Sequence, residues 1–220
     1  MERWATFDVY GTLIDWNGGI AATLERLWPG RATAALLRAY HEVEPQVERE
    51  QPSAPYREVM ARCLRAVVER EGLPLASGDE GALGEALPGW PPFPEVPGAL
   101  AELRRRGWKL APLSNTDPDF LTASLGHLGV AVDERVVASE IGSYKPAHGH
   151  WHEFFRRTGA DPAGHVHVAA SLFHDIAPAN ELGLHSVWIN RLGERPRPQP
   201  TRELLDLASL PDVLDELVPS

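Results

Sequence analysis

The 220 residues, 43 % of them apolar, are enough for one large α/β domain or a core with a smaller insert, and they exclude a disordered chain. Lys and Arg total 21 against 31 Asp and Glu, a formal charge of −10, which argues against a nucleic-acid partner because phosphate contacts need a basic face. Cys63 is the single cysteine, so no intramolecular disulfide can form, and no apolar run approaches the ~18 residues of a membrane span; a cytoplasmic protein with no membrane contact is expected.

In chain order, Trp4 to Phe7 suit a buried strand, and Gly11 ends it in a tight turn. Asp8 therefore stands where the strand runs out. Within Phe7-Asp8-Val9-Tyr10-Gly11-Thr12 alone, Asp8 is equally a turn cap or a carboxylate nucleophile. Residues 20–87 read almost wholly as helix. The first helix carries Ile20, Leu24 and Leu27 on one face and stops at Trp28-Pro29-Gly30. A second, from about Ala32 to Glu50, should be kinked or broken by Pro45. A third, Pro55 to Glu71, has an apolar stripe of Met60, Cys63, Leu64, Val67 and Val68, which makes Cys63 a core residue. A weaker helix spans about Asp79 to Leu87.

The run from Pro88 to Pro94, followed by Pro97-Gly98, reads as a linker. It divides the chain into residues 1–15 with 93–220, a core, and 16–92, a helical insert. Beyond it strands and helices alternate: helix Ala99 to Arg106, strand Trp108 to Leu113, helix from Asp117-Pro118 to about Gly126, strand Arg135 to Ala138, helix Gly149 to Arg157, strand His165 to Ala170, helix Ile176 to Leu182 and strand Ser186 to Ile189. Such units build a Rossmann-like, doubly wound parallel sheet. Short elements close the chain after Pro196–Pro200.

Polar residues follow the strands. Asp8, Ser114-Asn115, Lys145 and Asp175 fall after successive strand ends, and open α/β sheets bind ligands outside those ends. Ser, Asn and Asp are ordinary turn residues, but Lys145 before Pro146 has no turn role.

Phe-Asp-x-Tyr-Gly-Thr, Leu-Ser-Asn, Tyr-Lys-Pro and a last Asp after the fourth strand, in that order, resemble the haloacid dehalogenase superfamily, most closely its L-2-haloacid dehalogenase branch. The resemblance spans the chain and implies a helical cap inserted after the first motif. In that superfamily the phosphatases carry an Asp two residues after the nucleophile and a further acid early in the fourth motif; here those places are Tyr10 and Ala170. Mg²⁺ needs carboxylate oxygens, and a phenol of pKa near ~10 is a poor donor to a leaving alkoxide, so the expectation is a hydrolase without a metal or other cofactor, with Mg²⁺-dependent phosphoryl transfer as the alternative, or a catalytically degenerate protein on the same fold.

The resemblance assigns Asp8 as nucleophile on the halogen-bearing carbon of a small 2-haloacid, giving an ester that water hydrolyses. It implies that Lys145 holds Asp8 ionised, Asp175 positions the water, Thr12 supports Asp8, Ser114 binds the substrate carboxylate and Asn115 donates to the halide. The branch also uses a cap Arg, for which Arg38 is the candidate, and residues that correspond here to Tyr10, Trp151 and His174 shape the pocket. The branch has Ser and Asn where this chain has Ala170 and Leu172, so the water-handling part of the site is altered. His148, His150 and His152 do not make a metal site, since only the first and last share a helix face. His165 and His167 lie on one face of a strand. Apolar faces of the cap are compatible with a homodimer.

Overall fold

A computed structural model describes residues 2–51 and 54–220. Six parallel strands, β1 (Arg3–Phe7), β2 (Trp108–Ser114), β3 (Val136–Val137), β4 (His165–Ala169), β5 (His185–Ile189) and β6 (Arg202–Leu204), form one sheet in the order β3-β2-β1-β4-β5-β6. The sequence pattern did not assign β6. Every residue of β1 is buried, as expected for a central parallel strand covered on both faces. β1 pairs with β2 on one side and β4 on the other, so the strand order reverses beside Asp8. That reversal opens a crevice above the carboxyl ends of the strands.

Helices α1 (Trp16–Leu27), α2 (Thr33–Glu50), α3 (Tyr56–Glu71) and α4 (Ala82–Ala86) lie between the two passages of the chain at the neck. There Asp15 N donates to Pro91 O at 2.9 Å and Phe93 N to Leu13 O at 3.0 Å. Trp90 packs on α1 where Gly19 leaves room; a Cβ on Gly19 would lie 2.2 Å from the indole. In α3, Val59, Met60, Cys63, Leu64 and Val67 are buried together, as the stripe predicts, and Gly72 ends the helix at φ 61°.

Pro45 does not break α2, which runs unbroken from Thr33 to Glu50. Leu36, Ala39, Tyr40, Glu44 and Glu48 are buried along it, and packing outweighs the one hydrogen bond a proline removes. The helical layer is fastened to the sheet by the core. The Asp117 carboxylate, expected to start its own helix, accepts instead from the first N–H groups of α3, Tyr56 N at 2.9 Å and Arg57 N at 3.1 Å. The Tyr144 hydroxyl donates to Ala54 O at 2.6 Å.

The remaining helices are α5 (Val96–Arg105), α6 (Pro118–Leu128), α7 (Ala138–Ile141), α8 (Gly149–Thr158), α9 (Ala177–Glu181) and α10 (Leu210–Leu217). A π-helical turn, Leu172–Ile176, precedes α9. Among the described residues no helix is long and apolar enough to cross a membrane.

Candidate active site

The chain leaves β1 at Asp8, whose N–H still joins the sheet by donating to Val168 O at 3.0 Å. Gly11 then turns at φ 89°, a left-handed conformation that suits glycine, and brings Thr12 back beneath the carboxylate. Thr12 Oγ1 donates to Asp8 Oδ2 at 2.7 Å and itself accepts from Ala170 N at 2.9 Å. Lys145 Nζ, 2 % exposed, donates to Asp8 Oδ1 (2.9 Å), Asp175 Oδ1 (2.7 Å) and Leu113 O (2.8 Å), which uses all three ammonium hydrogens. Burial alone would lower the Lys145 pKa, but the two carboxylates outweigh it and raise the value. Burial would raise Asp175; the Lys145 charge and a hydrogen bond from His167 reverse that and lower it.

Asn115 holds this lysine by its backbone. Its Nδ2 donates to Lys145 O at 3.0 Å and its Oδ1 accepts from Lys145 N at 2.7 Å. The side chain expected to serve the leaving halide is thus a clasp first, with one amide hydrogen left over. Ser114 Oγ is buried and has no hydrogen-bond partner among the described residues.

A cavity of about 480 Å³ lies over these groups, lined by Asp8, Tyr10, Ser114, Asn115, Lys145, Ala170, His174 and Asp175 from the core and by Trp16, Asn17, His41, Glu44, Glu48 and Tyr56 from the helical layer. Tyr10 stacks on Tyr56 at 6.4 Å, and its hydroxyl pairs with Ser124 Oγ at 3.0 Å. Burial pushes its pKa up to about 12, against the pull of the Ser124 hydrogen bond, so it is a weaker acid than a free phenol. His174 Nδ1 pairs with Ser171 Oγ at 3.1 Å, and Nε2 lies 3.4 Å from Glu48 Oε2. Burial would lower His174; Glu48 reverses this and raises it.

Two expected site residues are elsewhere. Arg38 is exposed and away from the cavity. The buried face of α2 runs Leu36, Tyr40, Glu44, Glu48, four residues apart, and a residue two positions from both Leu36 and Tyr40 lies on the opposite side of a helix. What α2 turns toward the pocket in place of Arg38 therefore includes two glutamates, Glu44 and Glu48. Burial, then Glu48, raise Glu44 to about 8, opposed by a 2.8 Å hydrogen bond from the Tyr56 hydroxyl.

Trp151 is fully buried on α8, in a cluster with Trp4, Leu113 and Phe154, and its ring meets His167 edge-on at 5.1 Å. It packs beneath the sheet and does not line the cavity. The guanidinium at the cavity is that of Arg191, just past β5, bound to Glu95 Oε1 (2.6 Å) and Thr12 O (2.9 Å) and stacked over Phe93. It follows a fifth strand end, so the rule that found Asp8 and Lys145 would have found it too.

The donor set does not fit Mg²⁺. Besides Asp8 and Asp175, the place of the further acidic ligand holds Ala170, and Asp175 Oδ1 already serves two donors; the place of the phosphatases' proton donor holds Tyr10. His148 pairs with Glu181 at 2.9 Å and His150 is buried against Ser114 O, so the three-histidine run is dispersed.

Comparison with known proteins agrees with this geometry. The chain is 30 % identical over 195 residues to an (S)-2-haloacid dehalogenase of Pseudomonas sp. (strain YL), covering 85 % of this chain and 82 % of that protein. Haloacetate dehalogenase H-2 of Moraxella sp. (strain B) is 28 % identical, with 85 % of each chain covered. The solved L-2-haloacid dehalogenase RSc1362 superposes with a TM-score of 0.88 at 27 % identity, over 97 % of this chain and 99 % of that one. The haloacid dehalogenase-like hydrolase family matches residues 3–183, which hold the helical layer and all four strand-end motifs, and to that family this chain belongs.

Proposed function

We propose that the chain hydrolyses the carbon–halogen bond of a small 2-haloacid through an ester on Asp8, without a metal. The observation that carries this reading is the buried Lys145 ammonium shared between Asp8 and Asp175, under a cavity whose acid position is a tyrosine. A carboxylate oxygen of Asp8 attacks the α-carbon from behind, and the halide leaves with the bonding pair. Water then attacks the ester carbonyl carbon. One of its protons passes by way of Asp175 to the departing alkoxide, and the other leaves for solvent as Asp8 regains its charge. The products are a 2-hydroxy acid, halide and a proton.

In this reading residues 16–92 act as a cap that closes the cavity over residues 1–15 and 93–220. Thr12 and Lys145 fix the Asp8 carboxylate at its two oxygens. Ser114 Oγ, buried and without a partner among the described residues, supplies a donor for the substrate carboxylate, and the spare Asn115 hydrogen one for the halide. Residues Tyr10 and His174 form walls.

The test is halide release from L-2-chloropropionate in the presence of EDTA. Asp8→Asn should abolish it. Equal release by both proteins, or loss on chelation in the parent, overturns the assignment.

A further inference from the structure

The branch this chain resembles has Ser and Asn where Ala170 and Leu172 stand, so the last Asp has lost polar neighbours on its own loop. Support comes from the strand beneath. His167 Nε2 lies 2.9 Å from Asp175 Oδ1. The carboxylate can only accept, so Nε2 carries the hydrogen. On the other side of the ring, Nδ1 is 2.8 Å from Thr6 Oγ1, and Thr6 Oγ1 is 2.8 Å from His165 Nε2. The hydroxyl serves one ring with its hydrogen and the other with its lone pairs. Thr6 pairs with His167 in the β1–β4 register, so all three side chains share one face of the sheet. Thr6, His165 and His167 are fully buried, and Trp151 packs against the His167 ring.

With Lys145 and His167 both on Oδ1, that oxygen of Asp175 is taken. Oδ2 is buried, belongs to a cavity-lining residue and has no partner among the described residues. An unpaired buried carboxylate oxygen is costly, and a water molecule is the partner that fits it.

We propose that His167, braced by Thr6 and His165, is a positioning residue for the second half-reaction: it fixes the Asp175 carboxylate so that Oδ2 holds the water that hydrolyses the Asp8 ester. The proposal rests on the ester mechanism above. In it Asp8 attack and halide departure do not use His167, whereas water attack on the ester carbonyl carbon, with one proton carried by Asp175 to the leaving alkoxide, does.

Rapid-quench measurement of halide separates the two steps. In His167→Phe the first-turnover burst should stay within ~3-fold of the parent, while kcat falls ~10- to 100-fold, the range expected when a reacting group is misplaced by about 1 Å. Intact-mass spectra should then show the Asp8 ester accumulating. His167→Gln, which can still donate to Asp175, should recover part of kcat. Burst and kcat falling together, or neither changing, overturns the proposal. A second readout needs neither substrate nor the Phe variant. The His167 imidazole should give a slowly exchanging Nε2–H resonance at pH 7, lost in His167→Gln; a rapidly exchanging or absent signal overturns it. A parent that releases no halide while showing that resonance would sink the function and leave the positioning hydrogen bond intact.

Discussion

Glu44 offers the sharpest quantitative test. It is buried in the wall that α2 presents to the cavity, with Glu48 beside it. Burial and that neighbour raise its pKa from 4.5 to about 8. The folded protein therefore holds a proton on Glu44 between pH 4.5 and 8 that the unfolded chain has released. The sign follows: this contribution is fully present below pH 4.5 and is lost as pH rises through about 8. A displacement from 4.5 to about 8, at about 1.36 kcal/mol per unit, corresponds to about 5 kcal/mol. The Glu48 charge supplies part of that displacement, so replacing Glu44 alone should recover between about 2 and about 5 kcal/mol.

Glu44→Gln keeps the shape and the acceptor for Tyr56 but cannot ionise. Urea unfolding of both proteins from pH 5 to pH 9 is the assay. The curves should lie close together near pH 5, diverge steadily up to about pH 8 and run parallel above it, with the variant more stable at pH 9. His174, also raised, loses stability in the same direction as pH rises; Glu48, the larger cause of its rise, is kept in both proteins, and Glu44 adds only a smaller part. Ionised Glu44 would also repel an anionic substrate, so KM for a 2-haloacid should climb above about pH 8 in the parent and stay level in the variant. Stability curves parallel between pH 5 and 8, or a parent that gains stability over that range, would refute the reasoning.

Three further outcomes are expected. Lys145→Met leaves Asp8 and Asp175 buried without their shared cation; it should cost about 3–5 kcal/mol in urea unfolding and abolish ester formation, and unchanged stability would contradict the geometry. Arg38→Ala, on the exposed face of α2, should leave kcat and KM within about 2-fold, while Trp151→Phe should lower stability by about 1–3 kcal/mol with KM unchanged; a tenfold rise in KM in either would put that residue back at the substrate. Asp117→Ala removes the acceptor for two N–H groups of α3 and should cost about 1–2 kcal/mol by thermal unfolding, more than the half-buried Asp79 replaced in the same way.

The alternation of elements and the residues at the strand ends were legible in the amino-acid order. Periodicity and turn chemistry are local, and in a parallel sheet the carboxyl ends gather on one edge, so Asp8, Ser114, Lys145 and Asp175 had to converge. Cys63 in its stripe and the strand-face pairing of His165 with His167 were legible for the same reason. Contacts made between elements were not legible. Thr6 meets His167 only through the β1–β4 register, and Asp117 caps a helix some sixty residues away in the chain. The phase of α2 decided between Arg38 and Glu44. Its Leu36–Tyr40–Glu44–Glu48 spacing was present in the sequence, but burying two glutamates runs against their preference for water and becomes readable only when Tyr40, Tyr56 and His174 are seen around them. Trp151 likewise sits at the expected interval after Lys145, yet the side of the sheet on which α8 packs decided that it supports His167 and does not touch the cavity. Local chemistry placed the reacting groups; tertiary packing decided which neighbours set their charge and orientation.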